Sequence, residues 1–543
     1  TTLLLAARSF DGGGAGARAL AVAACALGML SKPSMIVAPV LVWFYDGVFY
    51  AGSFREALRR RKSFYAALAA TAAIPVALLL AFPDAERSAG LANPLFTPAQ
   101  YALTQCGVIL HYLRLAFWPS GLCLAHDWPA ARALPDVLLP GLILIALLAL
   151  TAWALIRRTA LGFAGAAFFL LLAPTSSLAP IADPCAEHRM YLPLAAVIAA
   201  VVGGGWLLFQ RLCGQAPSPG GAPRLRPRPC ALTALAFLLA TLGTLTALTR
   251  ARNAEYHSEV GMWESALRRY PRSVFIRNNL SAAILRAAER GDAPTRVCAL
   301  FAAEATLRDA LRMNPSSPLT RYNLGTLYAF MGRWAEAVAE FRVAAESSPT
   351  LWLANLNLAV ALERAGETED ANRQYDEALR KMPKDARQRS SALVWSAENC
   401  VRLGRPAEAV ERLRRALALR ETPFVLNRLA WLLAATPDPA FRDTDEALRL
   451  AERARGIAGP GDVPALRTLA RVLAESGRHG DAARAAEEAL RLAGAGASAS
   501  LLTALESEAA AYRNGHLPAP LTAPPTRSPA SAPAESARPA DSR

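Results

Sequence analysis

The sequence has almost no lysine: Lys32, Lys62, Lys381 and Lys384 are the only four among 59 basic residues. It also has no Cys-x-x-Cys pair. Its cysteines, at positions 25, 106, 123, 185, 213, 230, 298 and 400, are scattered, which excludes a zinc knuckle and a spaced disulfide framework. No metal site is therefore expected, and only Cys123 and Cys185 merit watching. No methionine, basic stretch or cleavage site opens the chain, so it carries no recognisable secretion signal; the expectation is a chain truncated at its N-terminus. Charge is scarce too. With 19% charged and 53% hydrophobic residues, the chain is too apolar on average for an ordinary soluble enzyme, and its 543 residues exceed what one core supports.

That average hides two halves. Residues 1–249 hold 18 Lys and Arg against 9 Asp and Glu, whereas residues 250–543 hold 41 against 35. The basic surplus of the first half gathers at Arg55 with Arg59-Arg60-Arg61-Lys62, at Arg157-Arg158, and between Arg211 and Arg228. Nucleic-acid binding needs such charges on one face. Clusters in short loops between apolar runs are instead the signature of cytoplasmic loops, and no nucleic-acid partner is expected. Scarce Lys beside abundant Ala and Arg points to a GC-rich, bacterial genome.

Uncharged runs able to cross about 30 Å of hydrocarbon lie at 63–82, 137–156, 159–173, 190–209 and 231–249. Residues 18–49 read as two short helices meeting at a kink at Ser31-Lys32-Pro33. If the three basic clusters share one side, an even number of crossings separates the first two. The run 99–118, with Gln100, Gln105, His111 and Arg114, is then an amphipathic helix at the outer interface. Loops 83–98, 119–136 and 174–189 fall outside, and so does everything from residue 250.

From Asn253 the sequence repeats with a period of about 34 residues, that of tetratricopeptide repeats. Leu324, Gly325, Tyr328, Gly332, Ala337, Phe341, Ala344 and Pro349 are answered by Leu358, Ala359, Leu362, Gly366, Ala371, Tyr375, Ala378 and Pro383. Small residues sit where the two helices of a repeat approach, and large apolar ones fill the seams. Looser units cover Leu280 to Pro315 and Leu429 to Gly459, the latter with an insertion at Thr436-Pro437-Asp438-Pro439. The expected fold is all-α: a polytopic membrane domain over 1–249, a tetratricopeptide-repeat α-solenoid over 253–493, and a disordered Ala/Pro/Ser-rich tail over 494–543. Tyr322, Asn323, Asn355 and Asn357 occupy first-helix positions that commonly face the groove, where they are candidates for holding an acceptor polypeptide; a spacer without a ligand is the plainer alternative.

The densest polar chemistry of the first half is Asp183-Pro184-Cys185-Ala186-Glu187-His188-Arg189-Met190-Tyr191-Leu192-Pro193, at the mouth of an apolar run. Arg189 and His188 suit a phosphate, and Asp183 or Glu187 suits orienting an acceptor or taking its proton. A charge network that merely seats the loop explains the same residues. Lys32 either snorkels or meets an anionic headgroup.

The Glu187-to-Pro193 string, with Pro180-Ile181-Ala182-Asp183, Tyr112-Leu113-Arg114, Phe117-Trp118-Pro119-Ser120-Gly121-Leu122 and Leu30-Ser31-Lys32, resembles the transmembrane and tetratricopeptide-repeat-containing proteins and their bacterial relatives. That family is similar to protein O-mannosyltransferases. The resemblance implies a C-type glycosyltransferase fold that uses a lipid-phosphate sugar, with the repeats on the lumenal or periplasmic side of the membrane, here a bacterial inner membrane. It implies transfer of mannose or another hexose from a polyprenyl-phosphate donor to protein hydroxyls, with no cofactor certain. Arg189, His188, Arg114 and Lys32 become the donor-phosphate candidates, and Asp183, Glu187 and Asp127 the positioning candidates. The family's catalytic acidic residues lie in a first external loop expected upstream of Thr1, so the catalytic residues are unknown and this chain alone is expected to be inactive. Relatives often carry Ser-Lys-Glu where this chain has Ser31-Lys32-Pro33. The rival functions are an oligosaccharide ligase and a non-catalytic, membrane-anchored repeat scaffold for envelope assembly.

Overall fold

The computed structural model describes residues 1–81, 96–177, 180–181, 183–212, 229–291, 293–436, 441–494 and 498–518. Most of the third basic cluster and the Pro437–Pro439 insertion lie outside them. The described residues form helices and no extended sheet, in two compact units, Thr1–Ile276 and Arg277–Arg543.

The first unit opens with α1 (Thr2–Phe10), a helix its sequence did not announce, and α2 (Gly14–Ser31). A 3-10 turn over Pro33–Val37 leads into α3 (Ala38–Phe49), so the Ser31-Lys32-Pro33 break is where the two helices part. There follow α4 (Phe54–Arg60), α5 (Lys62–Ala70), α6 (Ala73–Ala81), α7 (Pro98–Phe117), α8 (Leu134–Ile156), α9 (Ala160–Leu172), α10 (Tyr191–Leu212), α11 (Pro229–Glu255) and α12 (Glu259–Arg269). Residues Gly14–Ser31, Leu134–Ile156 and Glu187–Leu208 are long and apolar enough to cross a membrane, and the segments Ser34–Phe49 and Phe54–Arg60 make a fourth if their 109° bend lies within one span.

Two expected spans fall short among the described residues. The run 63–82 breaks at Thr71, where turn-type backbone bonds and the Thr71 hydroxyl on Leu68 O at 2.6 Å interrupt the helix between α5 and α6. The run 159–173 becomes α9, 13 residues long and hence about 20 Å. The run 231–249 lies within α11, whose side chains are described from Leu235 onward; Leu235, Phe237, Leu239 and Leu248 are all exposed. Exposure of large apolar residues is equally extensive on α8, at Leu139, Ile145, Trp153 and Ile156.

Gly52 lies beside Arg158, within 3.7 Å of where a Cβ would stand, which brings the first two basic clusters to one end. There the fully buried Asp46 accepts from both Arg61 Nη1 and Tyr65 Oη at 2.7 Å. Tyr45 and Phe49, near the C-terminal end of α3, pack edge-on against Phe163 in the first turn of α9.

The first unit runs on through Ile276, past the limit at 249 set by composition. Ile276 and Ala266, with Trp263, Leu267 and Tyr270 around them, bury Cys123 in a small apolar cluster, so Trp263 to Pro271, which the repeat spacing reads as the second helix of an opening half-repeat, belongs to this unit.

The second unit holds most of α13 (Val274–Arg290), then α14 (Ala293–Met313), α15 (Pro318–Phe330), α16 (Trp334–Ser347), α17 (Trp352–Ala365), α18 (Thr368–Lys381), α19 (Ala386–Arg402), α20 (Pro406–Leu419), α21 (Pro423–Ala435), α22 (Thr444–Ala458), α23 (Val463–Glu475), α24 (His479–Ala493) and α25 (Ala499–Arg513). From α15 onward each helix packs on the next, which is a repeat α-solenoid. The repeated glycines Gly332, Gly366, Gly404 and Gly477 all have left-handed φ, from 69° to 90°, at the turn between paired helices. Ion pairs cross the seams at similar spacing: Arg405 with Glu369 at 2.7 Å and Arg412 with Asp376 at 3.0 Å. Of the tail expected to be disordered over 494–543, residues Ala499–Arg513 instead form α25, which buries Leu505, Ala509 and Tyr512 and pairs Glu508 with Arg467, while residues 495–497 and 519–543 lie outside the described residues. Its apolar spacing was masked by a run of alanines.

Candidate functional site

Polar residues of the first unit converge where α7, the 118–133 loop and the segment before α10 meet. Thr97 caps α7 by accepting from Gln100 N, and Pro98 follows at the first helical position. One helix face then carries Tyr101, Gln105, Val108, Tyr112 and Leu115, all buried, the spacing of a helical stripe. Its polar tips pin the neighbouring segment. Tyr101 Oη donates to Thr175 O at 2.7 Å and Gln105 Nε2 to Pro184 O at 3.0 Å. Tyr112 Oη accepts from Ala186 N at 2.7 Å and donates to Ala186 O at 2.9 Å.

The pinned segment ends in a 3-10 turn, Glu187–Met190, that leads into α10. Glu187 turns towards the 118–133 loop, accepting from Cys123 N at 2.5 Å and from His126 at 2.9 Å. A carboxylate only accepts, so His126 carries its proton on Nε2, and Nδ1 accepts from Tyr270 Oη at 2.7 Å. Burial pushes the Tyr270 hydroxyl up to about 12, keeping it a donor. The same loop closes over Arg269 at Gly121, whose φ is +75° and where a Cβ would overlap the guanidinium.

Arg189 faces the other way. Its terminal nitrogens donate to Asp183 O at 2.6 Å, Pro184 O at 3.2 Å and Tyr101 Oη at 3.4 Å. It therefore seats the segment, as the plainer sequence reading allowed, and is not a freely presented phosphate ligand. His188 is exposed. Lys32, distant in sequence and itself exposed, stands in the same electrostatic neighbourhood. Loss of solvation raises the Asp183 carboxyl, against the pull of Arg189. Asp183, His188 and Arg189 lie in one segment, with Arg189 bonded to Asp183 O, and Lys32 comes within electrostatic range of His188.

Arg114 is exposed and donates to Ser120 O at 3.3 Å, on the side of His111. Asp127 is exposed beside the buried His126. Sequence reasoning missed His126, Arg269 and Tyr270, because a lone histidine or tyrosine carries no spacing signal; the pairing exists only once the loop meets α12.

The acceptor candidates of the second unit are mostly interior. Tyr322 and Asn357 are buried and bonded to each other, Nδ2 to Oη at 3.1 Å. Asn355 is buried too, donating to Gln374 at 2.8 Å and accepting from Lys381 at 3.1 Å. First helices are enclosed by neighbours on both sides, so these amides satisfy the seam. Asn323 alone of the four is half-exposed.

Known structures resembling the chain are repeat proteins. YrrB, described as a TPR protein with an unusual peptide-binding site, is 19% identical, covering 34% of this chain and 91% of its own, with a TM-score of 0.29. The C-terminal part of a TPR repeat-containing protein from Cytophaga hutchinsonii is 13% identical over 43% of this chain and 88% of its own, TM-score 0.34. PilF of Pseudomonas aeruginosa is 19% identical over 43% of this chain and 99% of its own, TM-score 0.32. No protein-family model and no curated protein matches the chain.

Proposed function

We propose that the chain works as the donor-binding and acceptor-binding part of a membrane glycosyltransferase. It moves mannose or another hexose from a polyprenyl-phosphate carrier to protein hydroxyls, with the repeats holding the acceptor polypeptide on the periplasmic side of a bacterial inner membrane. The observation that carries this reading is the Asp183-to-Arg189 segment, with Lys32 in electrostatic range of His188, in a unit whose helices expose large apolar side chains.

A polyprenyl phosphate has an apolar tail and a dianionic or monoanionic head, so its site needs an apolar flank and cations at the flank's end. Lys32 and His188 hold the phosphate, strengthened by the turn of backbone N–H groups that opens α10. The departing phosphate is already a stable anion, so the Lys32 ammonium and an N–H of the His188 ring lower the barrier by stabilising it, without a proton donor. Arg189 keeps the 183–186 segment in place, and Asp183 positions the acceptor hydroxyl. The helix α7 runs along that segment at the outer interface. The adjacency of Gly52 and Arg158 supports a common cytoplasmic end for the first two basic clusters.

A non-catalytic scaffold is the second reading, favoured by the engagement of Arg189 and Glu187 in holding loops. O-glycoproteomics of a strain lacking the gene separates the two. Single-hexose adducts should vanish and should not return with the full-length Lys32→Ala, His188→Ala double variant. Unchanged adducts would sink the transferase reading, and multi-sugar adducts would indicate an oligosaccharide ligase.

A further inference from the structure

His111, His126 and Cys185 come from three separate segments, yet their ligating atoms all lie within 4.8 Å of one another. His111 sits on α7, His126 in the 118–133 loop, and Cys185 in the segment pinned by Tyr112. His126 and Cys185 are buried. The two imidazoles stand 5.2 Å apart at 75°, and Trp128 covers His111 with a centroid distance of 5.0 Å. His111 Nε2 is buried and has no hydrogen-bond partner among the described residues. Buried imidazole nitrogens are almost always paired, so this one calls for a partner that none of the described residues supplies.

We infer that His111, His126 and Cys185 form a zinc site that ties α7, the 118–133 loop and the 183–187 segment together. Two imidazoles and a thiolate make a borderline-soft set, which selects zinc over magnesium or calcium. Zinc bonds of about 2.0–2.3 Å place tetrahedral ligand atoms about 3.4–3.8 Å apart. Closing from 4.8 Å at most therefore takes side-chain rotation of about an ångström, with no backbone rearrangement.

Glu187 stands 2.9 Å from His126 Nε2. Whichever ring nitrogen of His126 takes the metal, the other keeps a partner, Glu187 or Tyr270, which fixes the ring as outer partners of metal-bound histidines do. The charges balance as well: the Cys185 thiolate and the Glu187 carboxylate together offset a dication. On binding, the Cys185 S–H bond breaks, the S–Zn bond forms and the proton leaves to water; nothing is oxidised or reduced. The site is independent of sugar transfer, and its role is to hold two loops that no disulfide joins among the described residues.

The test uses the full 543-residue chain in detergent, stripped with a chelator and reloaded. About one zinc per chain should be retained, and zinc should raise the thermal midpoint. Cobalt loaded in its place should show tetrahedral d–d bands and a sulfur-to-cobalt charge-transfer band, a reading that needs no variant. Cys185→Ser should remove the charge-transfer band and the thermal shift. Glu187→Gln should weaken zinc affinity about 10- to 100-fold. Substoichiometric zinc with no charge-transfer band in the unaltered chain would overturn the inference, as would a His111→Ala, Cys185→Ser double variant that retains its zinc.

Discussion

Glu187 and His126, 61 residues apart in sequence, share a hydrogen bond of 2.9 Å that joins the turn before α10 to the loop after α7. Glu187 also takes Cys123 N, so one carboxylate fixes both ends of the 123–126 stretch. Replacing it by alanine leaves two buried donors unpaired, at about 1–3 kcal/mol each. Glu187→Ala should lower the thermal midpoint of the detergent-solubilised protein and open the 118–133 loop to protease, while Glu187→Gln, which still accepts, should recover part of the loss. Equal protease resistance in Glu187→Ala and the unaltered chain would refute the clasp.

Gly121 should not tolerate a side chain. Its φ of +75° disfavours any Cβ, and Arg269 occupies the space the Cβ needs. Gly121→Ala should cost more than about 1 kcal/mol. In the Arg269→Ala background the cost should shrink without vanishing, since the clash goes and the backbone strain stays. A double-mutant cycle in urea measures that coupling, and a coupling of zero would show that the guanidinium is not the obstacle.

Within the repeats, a Cβ on Gly325 would stand 2.8 Å from the ring of Phe341. Gly325→Ala should therefore destabilise by about 1–3 kcal/mol through overpacking, despite alanine's better helix propensity. Phe341→Leu should relieve much of this in combination. Chemical denaturation followed by circular dichroism checks it; a stabilised Gly325→Ala variant would contradict the close approach.

Asp46 is a charge at zero exposure, held by Arg61 and Tyr65. Arg61→Ala leaves it unpaired and should cost about 3–5 kcal/mol. Asp46→Asn added to Arg61→Ala should restore stability, because the stranded charge is removed with its partner. Thermal unfolding in detergent reads both, and additive losses would argue that the pair is not coupled.

How much could be read in advance depended on whether a signal repeats. The helical repeats were legible because each unit restates the same small, large and glycine positions, and the left-handed turns at Gly332 and Gly366 are local consequences of those residues. Long apolar runs marked α8 and α10 in the same way. The helix α25 was not legible: alanines diluted its period, and burial of Leu505 and Tyr512 against its neighbour makes it a helix.

By itself the sequence determined local periodicity, the apolar lengths, the charge asymmetry and the break at Ser31-Lys32-Pro33, since each depends on residues close along the chain. Only the tertiary structure decided which polar side chains are partners. Arg189 faces three oxygens of its own fold, Tyr322 meets Asn357 inside a seam, and His111, His126 and Cys185 approach one another across 74 residues. Those outcomes follow from packing, because α7 must bury its stripe of Tyr101, Gln105, Val108 and Tyr112, and whatever loop covers that stripe must satisfy its polar tips.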